Sequence, residues 1–200
     1  MSHIINRMKN IFDIKKILLL TLMLNVIIVC NVYATPYTVC NGPEFNARVM
    51  DFLSGGDPNI TSNKTITRFE RGNNLPSDPA YYVDISEDRD GTVIAYIRQV
   101  VAGDSSSGEA LYWYADSQTI MNQDTSYMFS DFVRIRSIDL TDFIYLNDLH
   151  DTRYMFANCR RLKQLKIKKS SAIPLNLVEV QGMFFNCQSL TNIDFNYFDT

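Results

Sequence analysis

The sequence predicts an α+β fold: a small N-terminal α/β cap domain followed by a solenoid whose coils each hold a helical turn and a strand. Three observations predict it. Met-Phe pairs recur at Met128, Met155 and Met183, 27 and 28 residues apart. Pro43 to Leu53 places apolar residues at 45, 49, 52 and 53, one face of a helix. Several short apolar runs between these regions alternate like strands and are bounded by turn residues.

The first 34 residues stand apart. Arg7, Lys9, Lys15 and Lys16 form a basic start, Ile17 to Cys30 is almost wholly apolar, and Val32-Tyr33-Ala34 offers a small-residue cleavage site. This is the layout of a secretory signal peptide, residues 1–34. The apolar run is shorter than the roughly 20 residues a membrane span needs. An uncleaved anchor is the rival reading. Lipidation at Cys30 is disfavoured because Val29 before it is not small. Membrane contact is expected only through this segment.

Residues 35–108 read as the α/β cap domain. The helix over Pro43 to Leu53 is stopped by Ser54-Gly55-Gly56. Asp57 to Lys64 is a polar loop. Thr65 to Phe69, Tyr81 to Ile85 and Thr92 to Ile97 alternate as strands, and Asp90-Gly91 signals a hairpin between the last two. Gly103 to Gly108 is a loop. Glu109 to Tyr114 is a further strand, with Thr119 to Met121 expected to return as its partner.

Residues 109–200 carry the repeat. Counting from each Met, Phe129, Phe156 and Phe184 share a column, as do Asp131, Asn158 and Asn186. Phe132, Cys159 and Cys187 follow, then Ile135, Leu162 and Leu190. Ile138, Leu165 and Ile193, and finally Leu140, Ile167 and Phe195, complete the pattern. A unit this short cannot bury its own apolar residues, so copies stack and like residues lie on like. Met-Phe-x-x-Cys suits one helical turn entering the core, and the alternating end suits a short strand in a parallel sheet.

The stretches YMFANCRRL, MFFNCQSLTNIDFNYFDT and SYMFSDFVRIRSIDLTDF resemble the repeats of BspA-like leucine-rich-repeat bacterial surface proteins, which typically read DMSYMFSGCSSLTSIDLSNFDTSNV. The lead-in ALYWYADSQTIMNQDTSYMF is similar to the segment before the first repeat of that family. The resemblance runs from about Glu109 to Thr200. It departs at Phe132 where Cys is usual, at Lys166 where Asp is usual and at Ser170 where Phe is usual. It implies a leucine-rich-repeat-like solenoid of about three repeats in a secreted or cell-surface bacterial protein that adheres to other molecules. By comparison with the family the chain stops mid-repeat at Asn196 to Thr200, without a polar cap, as a fragment of a longer gene would.

Composition and motifs narrow the chemistry. The chain holds 19 Lys and Arg against 22 Asp and Glu, a net charge of −3. Removing residues 1–34 takes four bases and one acid, leaving 15 against 21 and a net of −6. Nucleic acid is not an expected partner of so acidic a chain. His3 leaves with the signal segment, so His150 is the only histidine left, expected on the surface between coils rather than as a catalytic base. Ser86-x-Asp88-x-Asp90-Gly91 resembles the front of a calcium loop, but Ile97 stands where the bidentate Glu belongs, and a solvated hairpin turn is the better reading. Cys40, Cys159 and Cys187 lack Cys-x-x-Cys spacing, which argues against zinc. Stacking leaves Cys159 and Cys187 close enough for a disulfide, although free buried thiols are favoured. Cys40 is expected to stay unpaired or to pair elsewhere. Asn59 and Asn63 lie in Asn-x-Thr patterns that matter only in a glycosylating host.

Tyr112-Trp113-Tyr114 is the densest aromatic cluster, and strand alternation gives it a core face and a face open to a sugar or a protein. No catalytic, cofactor-binding or metal-binding residue emerges, and the ligand-binding residues are left unassigned. The function the resemblance implies is non-catalytic binding of extracellular proteins or cell-surface glycans, that is, adhesion. A secreted glycan-acting enzyme, or a passive spacer whose functional domain lies elsewhere, is the alternative.

Overall fold

The computed structural model describes residues 35–55, 66–76, 81–98, 109–144, 149–167 and 178–191. Residues Pro36–Thr200 cluster as one compact unit. The expected signal segment, the expected loops over 57–64 and 103–108 with Asn59 and Asn63, the tail of the second repeat from 168 and the expected strand end of the third all lie outside the described residues.

The described elements are β1 (Tyr37–Thr38), α1 (Gly42–Ser54), β2 (Ile66–Arg71), β3 (Tyr82–Asp84), β4 (Ile94–Arg98), β5 (Glu109–Tyr114), β6 (Thr119–Ile120), β7 (Ser137–Asp139) and β8 (Gln164–Lys166). Six strands form one mixed sheet in the order β3-β4-β5-β2-β7-β8. The pairs β3/β4 and β4/β5 are antiparallel, whereas β5/β2, β2/β7 and β7/β8 are parallel. A separate parallel pair joins β1 to β6.

The expected fold class is therefore corrected. In place of an α+β chain with an α/β cap domain ahead of a leucine-rich-repeat-like solenoid of helical-turn/strand coils, the described chain is mostly sheet with one helix. Two physical reasons account for this. First, the Met-Phe segments are not helical. Tyr127, Asp131, Tyr154, Asn158, Gly182 and Asn186 all have φ between 56° and 66°, so left-handed residues flank each Met-Phe pair and no helix propagates through it. The segments are tight turns closed by i to i+3 hydrogen bonds, such as Met155 N–H to Thr152 O at 3.2 Å and Cys159 N–H to Phe156 O at 3.1 Å. Second, β2, from the segment expected to form the cap, is a central strand that pairs with β7 of the first repeat. Strand pairing thus joins β2 directly to the first repeat. Thr119–Ile120 also differs from expectation, pairing with β1 rather than with β5.

The helix forms where the sequence places it. Asn41 caps its start by accepting from Glu44 N–H at 3.0 Å, Pro43 occupies the first turn, and Gly55 ends it at φ 63°. Phe45 and Val49 are fully buried, with Met50 and Leu53 packed at the margin of the same core. The first repeat turn leaves an open row of carbonyls, and the helix supplies their donors. Gly42 N–H donates to Asp124 O at 2.8 Å. Asn46 Nδ2 donates to Met128 O at 3.3 Å and Ser130 O at 3.0 Å. In the second turn the equivalent carbonyls, Met155 O and Ala157 O, accept from Phe129 and Asp131 N–H of the first. One side-chain amide therefore takes the place of a preceding copy, as buried backbone groups require.

Candidate functional site

The three turns stack through a backbone ladder. Thr125, Tyr127, Phe129 and Asp131 N–H donate to Asp151, Arg153, Met155 and Ala157 O, at 2.8 to 3.0 Å. Thr152, Tyr154, Phe156 and Asn158 N–H repeat the pattern onto Glu179, Gln181, Met183 and Phe185 O. Side chains stack in the same columns. Phe129 and Phe156 stack with centroids 5.7 Å apart and nearly parallel rings, and Phe156 and Phe184 stack at 5.3 Å. Asn158 Nδ2 donates to Asp131 Oδ1 at 2.8 Å, and Asn186 Nδ2 donates to Asn158 Oδ1 at 2.9 Å. These short polar side chains suit the left-handed backbone at each of their positions.

The cysteine column is reduced. Cys159 Sγ donates to Phe129 O at 3.1 Å and Cys187 Sγ to Phe156 O at 3.0 Å, so each thiol bonds back to the preceding turn rather than to its neighbour's sulfur. Burial pushes the thiols up: Cys40 and Cys187 to about 11, and Cys159 further still. Because the thiolate is the reactive form, we expect iodoacetamide at pH 8 to leave Cys40 and Cys159 unlabelled in the native chain. Half-buried Cys187 should react slowly, and all three should react in denaturant. Rapid native labelling of Cys159 would contradict this packing. The folded state holds these protons more tightly than the unfolded one, so this contribution to stability is complete below pH 9. It should decline as pH rises from 9 toward 11.

The aromatic cluster on β5 divides as alternation requires. Trp113 is fully buried and stacks on Phe143 at 4.2 Å, with the Arg71 guanidinium 5.1 Å from its ring centroid. Tyr112 and Tyr114 occupy the other face, half-buried, and Tyr112 stacks on Tyr96 at 5.5 Å. Asp88 is exposed on the hairpin between β3 and β4. Asp90 Oδ1 accepts from Thr92 N–H and Oγ, and the Ser86 hydroxyl donates to Asp84. The Ser86 and Asp90 oxygens are thus engaged in the turn itself. His150 is exposed, and its backbone N–H donates to Gln123 O at 2.8 Å. Among the described residues no three His, Cys, Asp or Glu side chains converge as metal ligands. Among them, too, no helix is long and apolar enough to cross a membrane.

Two surfaces that sequence reasoning did not single out are built by the stack. One is the tyrosine edge. Tyr127 and Tyr154 precede the first two Met-Phe pairs and stack at 5.2 Å and 19°, with Tyr127 46% exposed. Both have φ near 56°, a conformation costing a non-glycine residue about 1 kcal/mol. The third turn has Gly182 there, and a Cβ on it would meet the Tyr154 ring at 2.4 Å, so that ring lies over the glycine. The signal for this edge is the residue before Met128 and Met155, a tyrosine where the third copy has Gly182.

The other surface is a cleft of about 440 Å³ where β2, β7 and β8 begin, lined by Thr67, Arg68, Arg136, Ser137, Lys163 and Gln164. Backbone bonds set these residues side by side. Arg136 N–H donates to Thr67 O at 2.7 Å, and Lys163 and Gln164 N–H both donate to Arg136 O, at 2.9 and 3.0 Å. No protein-family model, curated protein or solved structure matches the chain.

Proposed function

We propose that the chain is a secreted or cell-surface bacterial protein of the BspA-like repeat type, acting without catalysis by binding extracellular proteins or cell-surface glycans. The observation that carries this reading is the tyrosine edge. Tyr127 is an exposed aromatic held at φ 57°, where glycine would relieve the backbone, and it repeats at Tyr154 on the next turn. Strain retained at an exposed aromatic points to a contact role. Tyrosine also offers large contact area with few rotors to freeze. The backbone ladder beneath the rings holds them rigid before any ligand arrives, which lowers the cost of binding.

The test is saturable binding of the secreted chain to an array of extracellular-matrix proteins and glycans, compared with Tyr127→Gly. That substitution releases about 1 kcal/mol of backbone strain and gives up a ring stack of about the same worth. Folding should therefore be nearly unchanged while binding through this edge falls about tenfold or more. A well-folded chain that binds nothing on the array would leave the spacer and glycan-enzyme alternatives standing in its place.

A further inference from the structure

The cleft between β2, β7 and β8 concentrates charge that the composition hides. Arg136 and Lys163 occupy the same column of successive copies, eight residues after each Met, and Arg134 and Arg161 occupy the column two residues earlier. All four are exposed, and Arg160 beside them is exposed as well. Among the described residues none of the five has an acidic partner in an ion pair. Arg68 meets Glu70 only at 3.9 Å. Nearby, Lys166 and Asp139 neutralise each other at 2.9 Å, so acids further along the same strands are already paired.

Like charges opposite one another on adjacent strands repel and destabilise the pairing. Here Arg136 and Lys163 stand side by side immediately before the paired strands β7 and β8, in a chain whose net charge is −3. An anionic ligand laid along the cleft would remove that repulsion. The remaining lining groups narrow the class of ligand. Ser137 and Gln164 add a hydroxyl and an amide between the cations, Thr67 is buried with its hydroxyl donated to Glu109 O at 3.3 Å, and among the described residues the lining holds no aromatic or aliphatic residue. A nucleic acid strand would call for aromatic platforms to stack its bases. A peptide would call for an apolar pocket to anchor a side chain. A ligand rich in both acidic groups and hydroxyls fits without either.

We propose that this cleft binds an acidic polysaccharide, its sulfate or carboxylate groups on Arg68, Arg136 and Lys163 and its hydroxyls on Ser137 and Gln164. This rests on the binding function proposed above and names one ligand class and its site.

The experiment measures binding of the secreted chain to heparin, to unsulfated dextran, to poly-glutamate and to single-stranded DNA, at 50 and 200 mM salt. Each is repeated with the double substitution Arg136→Ser and Lys163→Ser. The expected result is heparin binding that weakens with salt, no dextran binding, and weaker binding of the other two polyanions. The double variant should bind heparin about tenfold or more weakly, each lost contact removing part of the salt-dependent attraction. Both positions are exposed, so circular dichroism and the melting temperature should match the parent. Arg136→Lys, which keeps the charge, should restore most of the affinity. Arg89→Ser, which removes a cation paired with Glu44 away from the cleft, should change little.

Heparin binding that survives the double substitution, or that Arg89→Ser weakens equally, would overturn the site. DNA or poly-glutamate binding as tight as heparin would overturn the polysaccharide assignment. Failure to bind heparin, alongside saturable binding elsewhere on the array, would refute this inference and leave the binding function intact. A chain that binds nothing refutes both.

Discussion

Phe129→Ala should remove a large share of the protein's stability. No other ring joins so many parts of the described core. Phe129 is fully buried and lies 5.4 Å from Phe45 of the helix, 4.9 Å from Phe69 of β2, 6.2 Å from Phe132 and 5.7 Å from Phe156 of the next turn. Removing it deletes a large apolar surface and opens a cavity bounded by helix, sheet and stacked turns. Such a change costs about 3 to 5 kcal/mol, against a total stability of about 5 to 15 kcal/mol for an ordinary domain. Phe184→Ala tests whether position matters as argued. It removes the same side chain from the same repeat column, but Phe184 is half-buried and among the described residues stacks on one ring, Phe156. Its cost should be well under half that of Phe129→Ala. Urea denaturation of both variants separates the cases. Equal losses would mean that the stack, not the junction at Phe129, carries the stability.

That junction shows what the sequence could reveal and what it could not. The repeat was legible because stacked copies must place like on like, and the columns of Phe129, Phe156 and Phe184 or of Asp131, Asn158 and Asn186 coincide with physical ladders. The helix was legible because its signals are local: Asn41, Pro43, the apolar face and Gly55. Strand order was not legible. β5 lies between β4 and β2, so β2 finds its partners about 40 and 70 residues downstream, and no short-range pattern records such a choice. The helical-turn expectation failed because apolar spacing over five residues suits several turn types. Only the backbone at Tyr154 and Asn158, both left-handed, decides among them.

The candidate surfaces were hidden for a related reason. Aromatic density drew attention to Tyr112-Trp113-Tyr114, yet density there reflects packing, with Trp113 fully buried against Phe143. The tyrosine edge needs φ as well as residue type. The basic cleft needs three segments, at 67–68, 136–137 and 163–164, brought side by side by strand pairing. A net charge of −3 averages that cluster away.

Gly42→Ala should be nearly as damaging as the loss of Phe129, for the opposite reason. A Cβ at this position would lie 2.2 Å from Ser126 O, 2.4 Å from Thr125 C and 2.7 Å from Thr125 O. All three atoms belong to the backbone, so no side chain can swing aside. The clash forces the helix start away from the first turn and strains three bonds that depend on that approach: Gly42 N–H to Asp124 O, and the two from Asn46 to Met128 and Ser130 O. Overpacking typically costs about 1 to 3 kcal/mol. Buried carbonyls left without donors add about 1 kcal/mol or more each. A total of about 3 kcal/mol or above is expected, read as a lowered urea midpoint. Gly55→Ala separates steric exclusion from backbone conformation. Gly55 has φ 63° and nothing within 4 Å of its would-be Cβ, so it carries only the left-handed penalty of about 1 kcal/mol. If both glycine variants lost the same amount, the tight seat of the helix on the first turn would not be what holds these elements together. If Gly42→Ala lost much more, that seat is where the N-terminal helix and the repeated turns become one folding unit.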